Sequence, residues 1–261
     1  MRSPLIEPAC AFQVSLDAAG RSGAENMAID AALLDRANGT GLSFLRLYRF
    51  DPPCLSLGRN EPAARYDHTE IARRGLDVVR RPTGGRAVWH EHEVTYAVAA
   101  PVAAFGSLRN AYHTIHERIA RALRSLGADA TLAPHQLPPS SRVDQPTSCF
   151  ATPVGGEVLV AGRKLVGSAQ VRKGSAFLQH GSILLDGSQE IVRVVSRRAS
   201  AINGETTLSG VLRRHVSFHE VADAIVAAWG DAVTSPNLHQ PPATSTALLS
   251  DLAPLGIAVK S

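Results

Sequence analysis

Residues 157–185 constrain the fold more than any other stretch of the chain. Three runs of strand character, at 157–160, 164–171 and 176–185, are joined only by Ala161-Gly162-Arg163 and Lys173-Gly174-Ser175. A parallel crossover takes a dozen or more residues, so links this short force the neighbouring strands to run antiparallel. Elsewhere strands and helices interleave. Ser22 and Glu25 form a capping box that opens a helix to about Ala37, with Met27, Ala31 and Leu34 on one face. Strands are expected at 42–48 and 54–57, on either side of the Pro52-Pro53 turn. Asp67 and Glu70 cap a helix that stops at Gly75, and strands follow at 76–80 and 87–98. Ser107 starts an amphipathic helix carrying Ala111, Ile115, Ile119 and Leu123 on its apolar stripe and ending at Gly127. A short helix is expected over 189–197, and Ser217 and Glu220 cap another that ends near Trp229. Many hairpins among helices favour an α+β fold over a doubly wound parallel sheet. The expected architecture is a mixed, largely antiparallel central sheet flanked by helices.

The chain has 261 residues, of which 44% are hydrophobic, enough to bury a sizeable core. One catalytic domain is expected over 1–235, with 236–261 as a poorly defined tail. The net charge of +4 reads either as the ordinary surface of a soluble enzyme or as a docking face for an acidic protein partner. Nucleic acid is disfavoured, because there is no dense Lys/Arg run and aromatic residues make up only 5%. No run approaches the ~20 apolar residues of a membrane span. Three cysteines, Cys10, Cys54 and Cys149, argue against a disulfide framework and for a reducing, cytoplasmic setting. No CxxC pair is present, so a zinc site of that type is not expected.

Chemistry concentrates in two regions. In Arg80-Arg81-Pro82-Thr83-Gly84-Gly85-Arg86-Ala87, arginines flank a Gly-Gly turn. Glycine lets backbone approach a ligand closely, and guanidinium groups favour an anionic or carbonyl-bearing one. His90 and His92 alternate with Glu91 and Glu93, which superficially suggests a metal, but no third ligand is near in sequence. In the second region Cys149 follows a long polar loop at 135–147, where substrate can reach it. It is either a nucleophile, which needs a nearby cation to hold the thiolate, or an ordinary thiol. Lys164 is the candidate cation. A regular strand would align Lys164, Val166, Ser168 and Gln170 on one face, as a polar pocket wall or as a solvated edge. Gly167 suggests close backbone approach. His180 is either a general base or a structural residue bonded to neighbouring backbone. His113 and His116 lie off the apolar stripe of their helix and are expected in solvent. Cys54, within Cys54-Leu55-Ser56-Leu57, is expected in the core.

These segments together resemble the biotin/lipoate protein ligase superfamily. The matching pieces are GAENMAIDAALL from Gly23, PPCLSLGRNEP from Pro52, the run from Arg80 to Val98, the run from Ser148 to Asp186, and Ala201-Ile202-Asn203. The resemblance implies a sheet of the kind shared by biotin ligases and class II aminoacyl-tRNA synthetase cores, and an acyl chain held near the Gly-Gly turn. Within the superfamily, ATP-dependent lipoate ligases carry an Asn-Asp pair where this chain has Ser148-Cys149-Phe150. Octanoyltransferases of the type typified by Gram-positive bacteria carry a cysteine here, and this chain is similar to those. Classical octanoyltransferases place their cysteine after the lysine strand, where this chain has none. Glu91 departs from the aspartate usual after the histidine.

The resemblance therefore implies octanoyl transfer from octanoyl-acyl carrier protein to a lysine of a lipoyl domain, in 2-oxoacid dehydrogenases or the glycine cleavage H protein. Cys149 and Lys164 are the implied catalytic residues. Substrate contacts are implied at Arg80, Thr83, Gly84, Gly85, Arg86, Ala87, His90, Gly167, Ser168, Ala169, His180 and Gly181. No cofactor or metal is expected. An ATP-dependent lipoate ligase and a lipoyl-domain amidotransferase are the alternatives.

Overall fold

The structure, a computed structural model, describes residues 11–134, 155–197, 205–230 and 233–234. Cys10, the loop at 135–147, Ser148, Cys149, Phe150, the Ala201-Ile202-Asn203 segment and the expected tail at 236–261 lie outside the described residues. In chain order the elements are β1 (Phe12–Arg21), α1 (Gly23–Thr40), β2 (Ser43–Phe50), β3 (Cys54–Leu57), α2 (His68–Arg73), β4 (Asp77–Arg80), β5 (Val88–His90), β6 (Glu93–Pro101), α3 (Leu108–Ser125), β7 (Ala130–Leu132), β8 (Val158–Val160), β9 (Arg163–Lys164), β10 (Val166–Lys173), β11 (Ala176–Leu184), α4 (Glu190–Val194), α5 (Leu208–Leu212), α6 (Phe218–Trp229) and β12 (Val233–Thr234).

A six-stranded sheet runs β10-β11-β6-β2-β1-β12. β1 lies parallel to β2 and β12, whereas β2–β6, β6–β11 and β10–β11 are antiparallel. The expected α+β class and the mixed, mainly antiparallel sheet are both present. Smaller sheets, β4-β3-β5 and β7-β8-β9, stand beside it.

The period of two in each central strand divides the core. On β6, Val94, Tyr96 and Val98 join one apolar cluster, while Ala97 and Ala99 join another. β2 divides likewise, with Leu45 and Leu47 on one face and Phe44 and Tyr48 on the other. α3 and α6 cover the first face through Ile115, Ile119, Leu123, Val221 and Ile225, and α1 covers the second through Met27, Leu33, Leu34 and Ala37. Cys54 is fully buried in that second cluster, as expected.

The helix caps stand where the sequence puts them. The Ser22 side chain accepts from the Glu25 amide while Glu25 accepts from the Ser22 amide. Asp67, Ser107 and Ser217 cap α2, α3 and α6, and Gly75 and Gly127 take positive φ after α2 and α3. No helix among the described residues is long and apolar enough to cross a membrane.

Two expectations fail in the same way. The run 87–98 is not one strand: it breaks at Glu91 and His92, so β5 pairs with β3 and β6 joins the main sheet. The His92 carbonyl accepts from the Leu185 and Asp186 amides, which fixes the break. The run 164–171 breaks at Leu165, so Lys164 pairs with Leu159 in the third sheet while β10 starts at Val166. In both runs the alternation of apolar residues survives the change of sheet, which is why sequence pattern alone hides it.

Candidate active site

A small cavity lies on the α1 side of the main sheet, lined by Met27, Tyr48, Phe50, Ser56, Arg81, Val88, His90, Thr95, Gly167, Ser168, Ala169, His180, Gly181 and Ser182. The walls are mostly apolar, with a few convergent polar groups.

Two histidines meet the cavity in the same chemical arrangement. His90 Nδ1 lies 2.7 Å from Glu93 Oε1, and its Nε2 lies 2.7 Å from Ser56 Oγ. A carboxylate only accepts, so His90 Nδ1 carries hydrogen, and in the neutral ring the Ser56 hydroxyl donates to Nε2. His90 stacks on Phe50 with ring centroids 4.1 Å apart. His180 Nδ1 lies 2.8 Å from Asp30 Oδ2, and its Nε2 lies 2.7 Å from Thr83 Oγ1. The partners of both rings are side chains from other elements, which corrects the expectation of a backbone-bonded His180. Ser56 and Thr83 are fully buried, so these hydroxyls orient the imidazoles. Thr95 also donates to Glu93.

The Gly-Gly turn is held from beneath. Arg81, 5% exposed, donates to the carbonyls of Ser56, Gly84 and Arg86 and to Ser56 Oγ. Arg80 turns away from the cavity and donates to the carbonyls of Gly58, Arg59 and Glu61. Of the twelve expected contact residues, His90, Gly167, Ser168, Ala169, His180 and Gly181 border the cavity. Thr83 stands behind His180, Ala87 is fully buried in the cluster with Leu55 and Leu57, and Gly84, Gly85 and Arg86 form the clamped turn. Gly181 is required where it stands, because a Cβ there would come within 2.9 Å of Tyr96 Cε1 and overlap the Gly167 carbonyl oxygen and Ser168 Oγ.

Lys164 is 2% exposed, with Nζ 2.6 Å from Glu157 Oε1 in a buried ion pair. Val166, Ser168 and Gln170 do share a face, but their side chains meet α3 and the main sheet. Ser168 Oγ lies 2.8 Å from His116 Nε2 and 2.7 Å from the Tyr96 hydroxyl, and Gln170 donates to Gln179 and the Leu108 carbonyl. The face is therefore neither a simple pocket wall nor a solvated edge. His116, expected in solvent, is completely buried and donates from Nδ1 to the Gly156 carbonyl, while His113 is exposed as expected. Burial pushes the His116 pKa down to about 3, and the Lys164 charge pushes the same way, so the ring is neutral at physiological pH.

His92 is exposed outside both strands and does not share the face of His90. No group of three His, Cys, Asp or Glu among the described residues is placed to hold a metal ion. Sequence reasoning missed Asp30 and Ser56, placed His116 in solvent, and gave Arg81 and Glu93 no structural partner. Asp30 and Asn26 carried the one available signal, being polar residues four apart on the face of α1 turned to the core.

Residues 22–230 match the lipoyl protein ligase A/B catalytic domain family. The chain is 41% identical to octanoyltransferase LipM of Kyrpidia tusciae, over 79% of this chain and 78% of that protein. It is 38% identical to octanoyltransferase LipM of Carboxydothermus hydrogenoformans, over 80% of this chain and 76% of that protein. Its fold is similar to the crystal structure of lipoate-protein ligase A bound with ATP, with TM-score 0.69, 20% identity and 93% of each chain covered. The chain belongs to the lipoyl protein ligase A/B catalytic domain family and is an acyltransferase.

Proposed function

We propose that this protein transfers an octanoyl group from octanoyl-acyl carrier protein to the ε-amine of a lysine on a lipoyl domain, through a thioester on Cys149. The relation to octanoyltransferases over about four fifths of the chain carries the reading. The Cys149 thiolate attacks the donor thioester carbon, a new C–S bond forms as the carrier's C–S bond breaks, and the carrier thiolate leaves and takes up from solvent the proton that Cys149 released on ionising. The lysine amine then attacks the acyl-enzyme, C–N forms as C–S breaks, and the amine proton passes to the cysteine sulfur. Exchange of one thioester for another is nearly isoenergetic and amide formation is downhill, so no ATP is required.

The cavity offers apolar wall for the acyl chain, with Met27, Phe50 and Val88 among its lining. Lys164 contributes its charge as half of the Glu157 pair, so its role is to set the field and hold β8 against β9. Backbone N–H groups of the Gly84-Gly85 turn or near Gly167 are candidates to stabilise the oxyanion. The acceptors are lipoyl domains of 2-oxoacid dehydrogenases or the glycine cleavage H protein. Intact mass after mixing with octanoyl-acyl carrier protein without ATP tests the reading. The wild type gains one octanoyl group, and the Cys149→Ala protein gains none and transfers none. Full transfer by that variant refutes it. A parallel arm with an octanoylated lipoyl domain as donor identifies an amidotransferase, and ATP-dependent pyrophosphate release identifies a ligase.

A further inference from the structure

A cluster of buried charge under the cavity has no part in the chemistry just described. Asn26 and Asp30 lie one turn apart on α1 and are both completely buried. Arg46 on β2, 1% exposed, joins them: Nη1 is 3.1 Å from Asp30 Oδ1, and Nη2 is 2.6 Å from Asn26 Oδ1 and 3.1 Å from Asp17 Oδ2. Asn26 is fixed in turn by its amide nitrogen, 3.0 Å from both the Arg21 and Arg49 carbonyls. The second Asp30 oxygen accepts from the Tyr48 hydroxyl and from His180 Nδ1, each at 2.8 Å.

With the imidazole neutral, donor and acceptor roles are fixed. Carbonyl oxygens accept, so the Asn26 amide has one orientation and offers its own oxygen to Arg46. Arg46 only donates, so Asp30 receives it. The remaining Asp30 oxygen takes the Nδ1 hydrogen of His180, which leaves Nε2 with a lone pair. The Thr83 hydroxyl, 2.7 Å away, must donate to it. Thr83 directly precedes Gly84-Gly85, whose opposite side is tied by Arg81.

We propose that Asp30 is a positioning residue for the Gly84-Gly85 turn: by fixing His180 as its Nδ1–H tautomer, it makes Nε2 the latch for Thr83 and holds the turn in place behind His180. The assignment rests on the acyl-binding role proposed for this cavity, but its structural core is testable without that role. Asn26, Asp30 and Arg46 touch no cavity ligand. They act through His180, which explains why α1 spends two core-facing positions on polar residues.

The test has a spectroscopic arm and a kinetic arm. Nitrogen-15 NMR of the imidazoles reports the tautomer, and backbone nitrogen-15 relaxation reports the order of the turn. In the wild type His180 carries its hydrogen on Nδ1. Thr83→Val and Asp30→Asn each lower the backbone order parameters of Gly84 and Gly85 from the rigid range of about 0.85 to below about 0.6 while β6 stays rigid, and Thr83→Ser restores them. In octanoyl transfer both variants lose at least tenfold in kcat/KM for the acyl donor, and the double variant loses no more than the worse single one. An Nε2–H tautomer in the wild type, or unchanged backbone order at the turn in Thr83→Val, overturns the proposal. Failure of the Cys149 reading shows instead as no adduct with tautomer and relaxation results intact.

Discussion

Gly58→Ala offers a sharp test of how tightly the Gly-Gly turn is seated. Gly58 follows β3, and its amide donates to Glu61 while its carbonyl accepts from Arg80. A Cβ added there would overlap the Gly85 carbonyl oxygen and stand 2.8 Å from the Gly85 carbonyl carbon and 3.3 Å from that of Gly84. Carbon atoms pack at about 3.5–4.0 Å, so the turn must retreat by roughly 1 Å. The obstacle is backbone, and the Arg81 fan and the Thr83–His180 bond oppose its retreat. Overpacking of this kind costs about 1–3 kcal/mol, here at the upper end because no rotamer change relieves it. A displacement of ~1 Å at a binding site is worth on the order of 100-fold in rate. The expected result is thermal unfolding lowered by about 4–12 °C, from roughly 2–4 °C per kcal/mol for a domain of this size. Octanoyl transfer falls about 100-fold, while circular dichroism keeps the wild-type shape. Calorimetry and a transfer assay check both. Activity within threefold of wild type, with the backbone order of Gly84 and Gly85 unchanged, refutes the argument that this close approach seats the turn.

Two further outcomes follow from groups buried outside the cavity. Because the His116 pKa is pushed from 6.5 to about 3 by burial, the unfolded chain binds the extra proton between those values. Stability from this residue is therefore complete above pH 6.5 and is lost as pH falls toward 3. His116→Asn, which keeps an N–H for the Gly156 carbonyl, should remove about 2–3 kcal/mol of the difference in urea stability between pH 7 and pH 4.5, and an unchanged difference contradicts the assignment. For the Lys164–Glu157 pair, Lys164→Met and Glu157→Gln should each cost about 3–5 kcal/mol by leaving a buried group without its partner, and the double variant should cost less than their sum. Strict additivity in urea titrations argues that the two side chains are not coupled.

The elements that sequence made legible are those whose signals are local. Ser22, Asp67, Ser107 and Ser217 announce helices through hydrogen bonds to amides two or three residues away, and all four caps are in place. The hairpin between β10 and β11 was equally plain, because Lys173-Gly174-Ser175 leaves no other topology. β1 was missed although its buried positions include Phe12 and Val14, since its parallel partners β2 and β12 lie far off in sequence or across a helix. The site shows the same division. His90, His180 and the Gly-Gly turn stood out by residue type. His116 was misplaced because a neutral, doubly bonded histidine satisfies its polar atoms within the core, and helical periodicity cannot detect that.

The arrangement of buried polar groups follows from what the proposed acyl pocket demands. Each cavity histidine needs one tautomer, and a free imidazole does not choose one. The protein imposes the choice by placing a carboxylate behind each ring, Asp30 behind His180 and Glu93 behind His90. A buried carboxylate is costly without donors, so each one recruits more of them: Arg46 and Tyr48 for Asp30, Thr95 for Glu93. Arg46 in turn requires Asp17 and Asn26. Hydrogen bonds from Arg21 and Arg46 outweigh burial at Asp17 and hold its pKa below the ordinary carboxylate value. The chain of requirements ends at Arg21, where solvent begins. Fixing one imidazole against an apolar cavity thus commits side chains on β1, α1 and β2, and the cluster beneath the sheet is the cost of a pocket that is dry on one side and directional on the other.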